Sequence, residues 1–425
     1  MSGLLRKLNI KALGLDLLFL YAGKSGSVIV GIFVLPLYQK IMGPSNFGVV
    51  ALLLSIQAFL LMVDLGASTV VGRNLAANSD RLISARTMFA AQMNLHLFYI
   101  LLLGGFVVLS LAGVLSFPLV DGFLAVVFFW AVTVQNVSQS ALLAMRKYAL
   151  AGGLQAACIL FRSIATLVCL LYISSDVRVF LVLQAVTAVL HMLVTDRVCY
   201  WLLGDVKALA DKSAIVNSMR KVFEQGFPLI LFGLSGALVM QADKVIISSY
   251  NAPSDLSPYY LATVLCLTPI SVLAAPVSQY FHPKIVHAVA SSDDYHLSRN
   301  VKIMSAALMA VVVVPSCILW VYSQEIVGLW LLGQDNAGVV SRYVDILLPG
   351  VAIGAFGFIP YSILVAKEDY KFQAFMSVTL TILTLVAALY FSFVGSVTGV
   401  CYVYAVYHAF SFVVSWLRVK SLGAD

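Results

Sequence analysis

Charge is what this sequence has least of. Only 11% of its 425 residues are Asp, Glu, Lys or Arg, where a soluble globular chain carries roughly 25%. That excludes a water-facing surface for most of the chain. Long polar stretches are scarce too, and the longest runs only over 205–225. Cysteine is sparse: Cys158, Cys169, Cys199, Cys266, Cys317 and Cys401 all lie in apolar segments, and none forms a C-x-x-C pair. Neither a disulfide framework nor a metal site is indicated, and the six read as small packing residues. No glycine loop followed by Lys-Ser/Thr occurs, which argues against nucleotide hydrolysis. The start carries no cleavable signal pattern: Ser2–Asp16 is basic and amphipathic, and the apolar stretch after it is too long for an h-region.

Apolar residues fill the space that charge leaves, at 61%. Apolar stretches fall near 15–39, 47–71, 88–115, 119–143, 150–173, 178–203, 227–250, 257–280, 300–323, 343–366, 372–394 and 396–417. A spanning helix needs roughly 20 such residues. Backbone polar groups in lipid must be satisfied within the segment, and no alternating barrel pattern appears. The expected fold is an all-α polytopic membrane protein of about twelve transmembrane helices.

The cations set the orientation. With the N-terminus inside, nineteen of the 26 Lys and Arg fall in cytoplasmic segments. Three (Lys40, Arg178, Arg342) fall outside, and Lys24, Arg162, Arg197 and Lys244 lie within spans. This bias predicts both termini on the cytoplasmic side. The net charge of +7 thus reports topology, and it gives no reason to expect nucleic acid as a partner.

The segment 205–225 separates six spans from six. The expected organisation is an N-terminal lobe over 1–204, a cytoplasmic linker over 205–225 and a C-terminal lobe over 226–425. The halves share short likenesses: Gly23-Lys-Ser-Gly26 with Gly233-Leu-Ser-Gly236, and Pro44-Ser-Asn46 with Pro253-Ser-Asp255. Repeats of six spans would be parallel, an arrangement of transporters that carry substrate between their lobes.

The run PLYQKIMGPSNFGVVALLLSIQAFLLMVDLGASTVVGRNLA, residues 36–76, resembles the N-terminal signature of Wzx-type O-antigen flippases. These belong to the multidrug/oligosaccharidyl-lipid/polysaccharide exporter superfamily. Supporting matches are Gly226-Phe-Pro228, Asp243-Lys244-Val-Ile-Ile, Tyr259-Tyr-Leu-Ala262, Pro276-Val-Ser-Gln279 with Pro283, and Pro360-Tyr-Ser-Ile-Leu with Lys367. The resemblance implies two six-helix lobes around a central cavity, in a bacterial inner membrane. It implies as substrate an oligosaccharide on undecaprenyl pyrophosphate, an O-antigen or related repeat unit, flipped from cytoplasm to periplasm. Membrane lipids and other polysaccharide assembly proteins are the partners it implies.

A charge at mid-bilayer costs at least ~2.5–3.5 kcal/mol and therefore usually faces a cavity or a partner. Lys24, Arg162 and Lys244 are the candidate cationic cavity, suited to a diphosphate through the two donors of arginine and the point charge of lysine. Asp64 and Asp243 are candidates for ion coupling or for structure, and Arg73 for meeting the incoming headgroup. Polar stripes run with them: Gln57, Asp64 and Ser68 in span 2, and Gln155, Cys158, Arg162, Thr166 and Cys169 in span 5. Others are Gln92, His96 and Tyr99 in span 3, and Gln184, Thr187, His191 and Thr195 in span 6.

Blander readings compete. Lys24 can snorkel or pair with Asp64, and Lys244 can pair with an acid on another helix. His96, His191 and His408 read as satisfied core residues, and Asp196 with Arg197 as an ion pair at a span boundary. Pro36, Pro269, Pro276, Pro315, Pro349 and Pro360 read as kinks. No cofactor or metal is expected, and a proton or sodium gradient is the expected energy source. One alternative is a drug or organic-cation antiporter of the same superfamily, which would want a cavity rich in acids. The other is a membrane glycan polymerase or ligase, but the longest outer segment, 324–342, holds no paired acid/base motif.

Overall fold

The computed structural model describes residues 29–62, 64–77, 80–114, 117–145, 147–204, 212–367 and 369–423. Among them the chain is helical and no strand occurs. Among the described residues, ten helices are long and apolar enough to cross a membrane. Of the expected segment 15–39 only 29–39 is described, and it runs on into the segment expected at 47–71 within a single element, Val30–Met62. It kinks at Gly43, whose φ of 78° interrupts the helix just before Pro44. The expected segment 227–250 lies inside a longer helix, Lys212–Tyr250.

The helices fall into two compact units: one holds Ile56–Ala237, the other Gly31–Ser55 together with Leu238–Asp425. A π-helical turn, Val30–Val34, precedes α1 (Leu35–Met62). Then follow α2 (Ala67–Ala77), α3 (Arg81–Leu111), α4 (Leu119–Ala144), α5 (Tyr148–Tyr172) and α6 (Val177–Leu203). Helix α7 (Lys212–Tyr250) contributes its first part to the first unit and the rest to the second. The second unit continues with α8 (Pro253–Ala290), α9 (Asp294–Leu308), α10 (Val314–Val321), α11 (Ser323–Trp330) and α12 (Ala337–Gly354). It closes with α13 (Phe358–Ala366), α14 (Tyr370–Phe393) and α15 (Val397–Ser421).

In lipid, leucine gains little by leaving the solvent, so helices associate through close packing of small residues. Helix α4 obeys this in the first unit. Ala131, Val134, Ser138 and Ala141, three or four residues apart, are completely buried. Its main neighbour is α6, which also buries Leu181 and Cys199 fully. Large residues such as Leu101, Leu111 and Tyr172 point outward instead. In the second unit α12 crosses α15 so closely that a Cβ on Gly350 would overlap the Ala405 carbonyl oxygen. Likewise a Cβ on Gly48 would overlap the Pro253 carbonyl, so the chain just after Pro44 lies against the first residue of α8. The two similar Pro-Ser stretches are thus neighbours in the second unit.

Two of the prolines act on the helix ahead of them in the same way. The π-turn Val30–Val34 ends two residues before Pro36, and the π-turn Met309–Val313 ends two residues before Pro315. Proline lacks an N–H and its ring displaces the carbonyl four residues back, so the preceding turn widens. Pro349, in contrast, sits inside α12 without ending it.

Candidate functional site

Within the second unit, α7 places Asp243 and Lys244 at its buried face, 1% and 4% exposed. Helical geometry sets adjacent side chains about 100° apart. The long lysine stem overcomes this. Lys244 Nζ lies 2.9 Å from Asp243 Oδ2 and donates to the Met240 carbonyl oxygen at 2.7 Å. Tyr259 of α8 donates its hydroxyl to the same Oδ2 at 2.6 Å. Asp243 Oδ1 is buried and has no hydrogen-bond partner among the described residues. Next to the pair is a cavity of about 10 Å³, lined by Thr263, Cys266, Leu347, Tyr404 and His408 among others. That is room for about one water-sized sphere. The blander reading of Lys244 put its acid on another helix; the acid it meets is on its own.

The first unit holds a separate polar seam. Arg162 on α5 is half-buried, and its guanidinium carbon lies 5.7 Å from the Phe128 ring centroid. Around that helix, Gln135 Nε2 donates to Gln155 Oε1 at 2.9 Å and Gln184 Nε2 to Thr166 Oγ1 at 3.2 Å. His191, buried on α6, keeps its Nε2 without a partner among the described residues. His96 is satisfied, accepting from Trp130 Nε1 at 2.7 Å.

Asp64 departs from its expected place inside a continuous span. The helix breaks there: Leu65 and Gly66 take φ of 57° and 67°. Asp64 opens α2, its backbone oxygen accepting from Ala67 N at 3.0 Å and its Oδ2 from Ser68 N at 3.1 Å. A short acid at a helix start satisfies amides that have no partner inside the helix. Gln57, Asp64 and Ser68 therefore do not form one stripe on one helix. The break also allows a close crossing. A Cβ on Gly66 would lie 2.8 Å from the Gly226 carbonyl oxygen, and one on Gly226 would overlap the Leu65 carbonyl. Asn74 adds a hydrogen bond to Gln225 at 3.1 Å. Two motifs read separately in the sequence, Asp64-Leu-Gly66 and Gly226-Phe-Pro228, thus meet.

Asp196 is not ion-paired with Arg197. It accepts from Gln92 Nε2 at 3.0 Å and from the Ser138 hydroxyl, while Tyr200 donates to Gln92 Oε1 at 2.7 Å. Sequence reasoning missed this network. Its signal was the serine between Gln135 and Gln139, which faces α3 and α6 together. Arg73 lies on α2, with its side chain outside the description, and Lys24 lies outside the described residues. Arg162 and Asp64 belong to the first unit, Asp243 and Lys244 to the second.

Many membrane-crossing helices, with charges kept inside their bundles, define a multi-pass membrane protein. Its fold is that of the multidrug/oligosaccharidyl-lipid/polysaccharide superfamily. The chain is similar to a point mutant of the Vibrio cholerae MATE transporter VcmN at 12% identity and a TM-score of 0.63, over 98% of this chain and 97% of that one. It is similar to the lipid II flippase MurJ in an inward closed conformation at 14% identity and a TM-score of 0.68, over 94% and 87%. A superfamily transporter from Pyrococcus furiosus gives 14% identity and 0.61, over 95% and 94%. No curated protein gives a significant sequence match. Residues 14–287 match the family described as polysaccharide biosynthesis protein, and the chain belongs to that family.

Proposed function

We propose that this protein is a flippase for an undecaprenyl-pyrophosphate-linked oligosaccharide, an O-antigen or related surface-polysaccharide repeat unit. It carries its load from the cytoplasmic to the periplasmic leaflet of a bacterial inner membrane by alternating access, with both termini in the cytoplasm. Membership of a polysaccharide biosynthesis family supports the substrate class. The observation that carries the reading is the buried Lys244, an ammonium held at 4% exposure by one carboxylate.

Taking two charges out of water costs several kcal/mol per ion, and a well-packed apolar pair often serves stability as well or better. A pair kept at that cost suits a site that exchanges partners. In our reading the diphosphate replaces Asp243 as counter-ion to Lys244. Arg162, in the first unit, and Lys24 are the other cations this reading assigns to the headgroup, the arginine for its planar fork. The neutral amides and hydroxyls of the first unit's seam suit glycan hydroxyls, and Arg73 meets the incoming headgroup. A proton or sodium gradient supplies the energy, and the two states differ in their affinity for the headgroup.

The test is surface-polysaccharide export in cells carrying Lys24→Ala, Arg162→Ala or Lys244→Met as their sole copy. Each variant, inserted at the parent level, is expected to lose export. Undiminished export from all three would overturn the cationic site.

A further inference from the structure

A second charged cavity lies in the first unit, lined by none of the residues used above. It has a volume of about 330 Å³ and is lined by Leu75, Arg81, Ser84, Met145, Lys147, Leu202 and Leu203. Pockets that hold small ligands span roughly 300–1,000 Å³. The lining comes from one end of five helices: the last turns of α2 and α6, the first of α3, the exit of α4 and the entry to α5.

Three observations give this cavity a ligand chemistry. First, Arg81 and Lys147 form no ion pair among the described residues. Arg81 reaches across to the end of α6, its Nη1 3.7 Å from where a Cβ on Gly204 would stand. Second, Ser84 is only 5% exposed, lines the cavity, and its hydroxyl makes no hydrogen bond among the described residues. Third, α3 and α5 both point their N-terminal ends here with no acid in the first turn, and α5 has no side-chain cap. Helix N-termini carry partial positive charge and free N–H groups. Asp80 caps α3, its Oδ1 accepting from Leu82 N at 2.8 Å.

The rest of the lining is apolar. Met145, Leu202 and Leu203 stand at the ends of membrane-crossing helices and Leu75 in the last turn of α2, where an acyl chain would continue into the bilayer. A free inorganic anion has no use for that half of the cavity. We infer that this cavity binds the phosphate of an anionic phospholipid, with Arg81, Lys147 and Ser84 on the headgroup and the leucines on the first carbons of its chains. Basic pockets between transmembrane helices are suited to such headgroups. This site does not depend on what the protein transports.

The test uses the purified full-length chain in neutral detergent, with phosphatidylglycerol, phosphatidylcholine and inorganic phosphate as separate probes and native mass spectrometry as readout. Phosphatidylglycerol is expected to bind well above phosphatidylcholine, and phosphate alone weakly. Each of Arg81→Gln and Lys147→Gln should weaken phosphatidylglycerol by about fivefold, from ~1 kcal/mol per basic residue. Arg81→Lys should restore most of that loss, which a merely structural role for the side chain would not do. Elution profile and unfolding midpoint confirm that the variants are folded. Equal binding of the two lipids, no change in the Gln variants, or phosphate binding as tightly as phosphatidylglycerol would each overturn the inference.

Discussion

Replacing Asp243 with Asn separates two roles that one buried pair can play. The carboxylate is 1% exposed, and Lys244 beside it is 4% exposed. Asparagine keeps the shape and can still accept from Tyr259, but it leaves the ammonium without a counter-charge. Removing one partner of a buried pair costs about 3–5 kcal/mol. That is a large share of the ~5–15 kcal/mol by which proteins are stable. Lys244→Met strands the carboxylate and should cost a similar amount. The double variant, Asp243→Asn with Lys244→Met, leaves no charge behind and should be close to the parent in stability. The cycle should therefore be strongly non-additive, with the double variant several kcal/mol more stable than the two single losses summed. The assay is unfolding of the purified variants in detergent, followed by export in cells. If the single losses simply add, the pairing seen here is not what holds these residues. If the stable double variant still exports glycan, Lys244 is a structural element and takes no part in holding the load.

Other outcomes follow from the same geometry. Asp64→Ala should destabilise by roughly 1 kcal/mol through the lost helix cap, while Asp64→Asn retains both cap and export; loss of export in a folded Asn variant would reassign Asp64 to ion coupling. Gly226→Ala should sharply lower the yield of folded protein because its Cβ overlaps the Leu65 carbonyl, whereas Gly104→Ala, with nothing within 4 Å, should express normally. Arg162→Lys should keep part of the export that Arg162→Ala loses, since charge survives but the planar fork does not. Equal loss in both would show that the fork geometry is decisive.

The helices were readable because composition left no other solution for the backbone in lipid, and the resemblance already pointed to the superfamily fold. What stayed illegible depends on contacts between distant segments. Gly43 falls between two expected spans, just before Pro44, while Gly66 looks like an ordinary glycine in an apolar run. Only the fold reveals that the first is a kink inside one element and that the second marks a helix break that accepts Gly226. Periodicity placed Asp243 and Lys244 on different faces, because it treats side chains as rays and ignores a four-carbon stem that can fold back to the Met240 carbonyl. Asp196 was read with its sequence neighbour Arg197, although Gln92 and Ser138, on two other helices, are its partners. The paired π-turns before Pro36 and Pro315 needed only a proline in each sequence, but their position two residues upstream is a property of the helix.

Transfer of a labelled undecaprenyl-pyrophosphate glycan across vesicles containing only this purified protein tests the account at its centre. Glycan should become accessible on the far side with the parent protein and not with Lys244→Met or Arg162→Ala. Transfer by both variants at the parent rate, or none by the parent while cationic drugs cross, would contradict it.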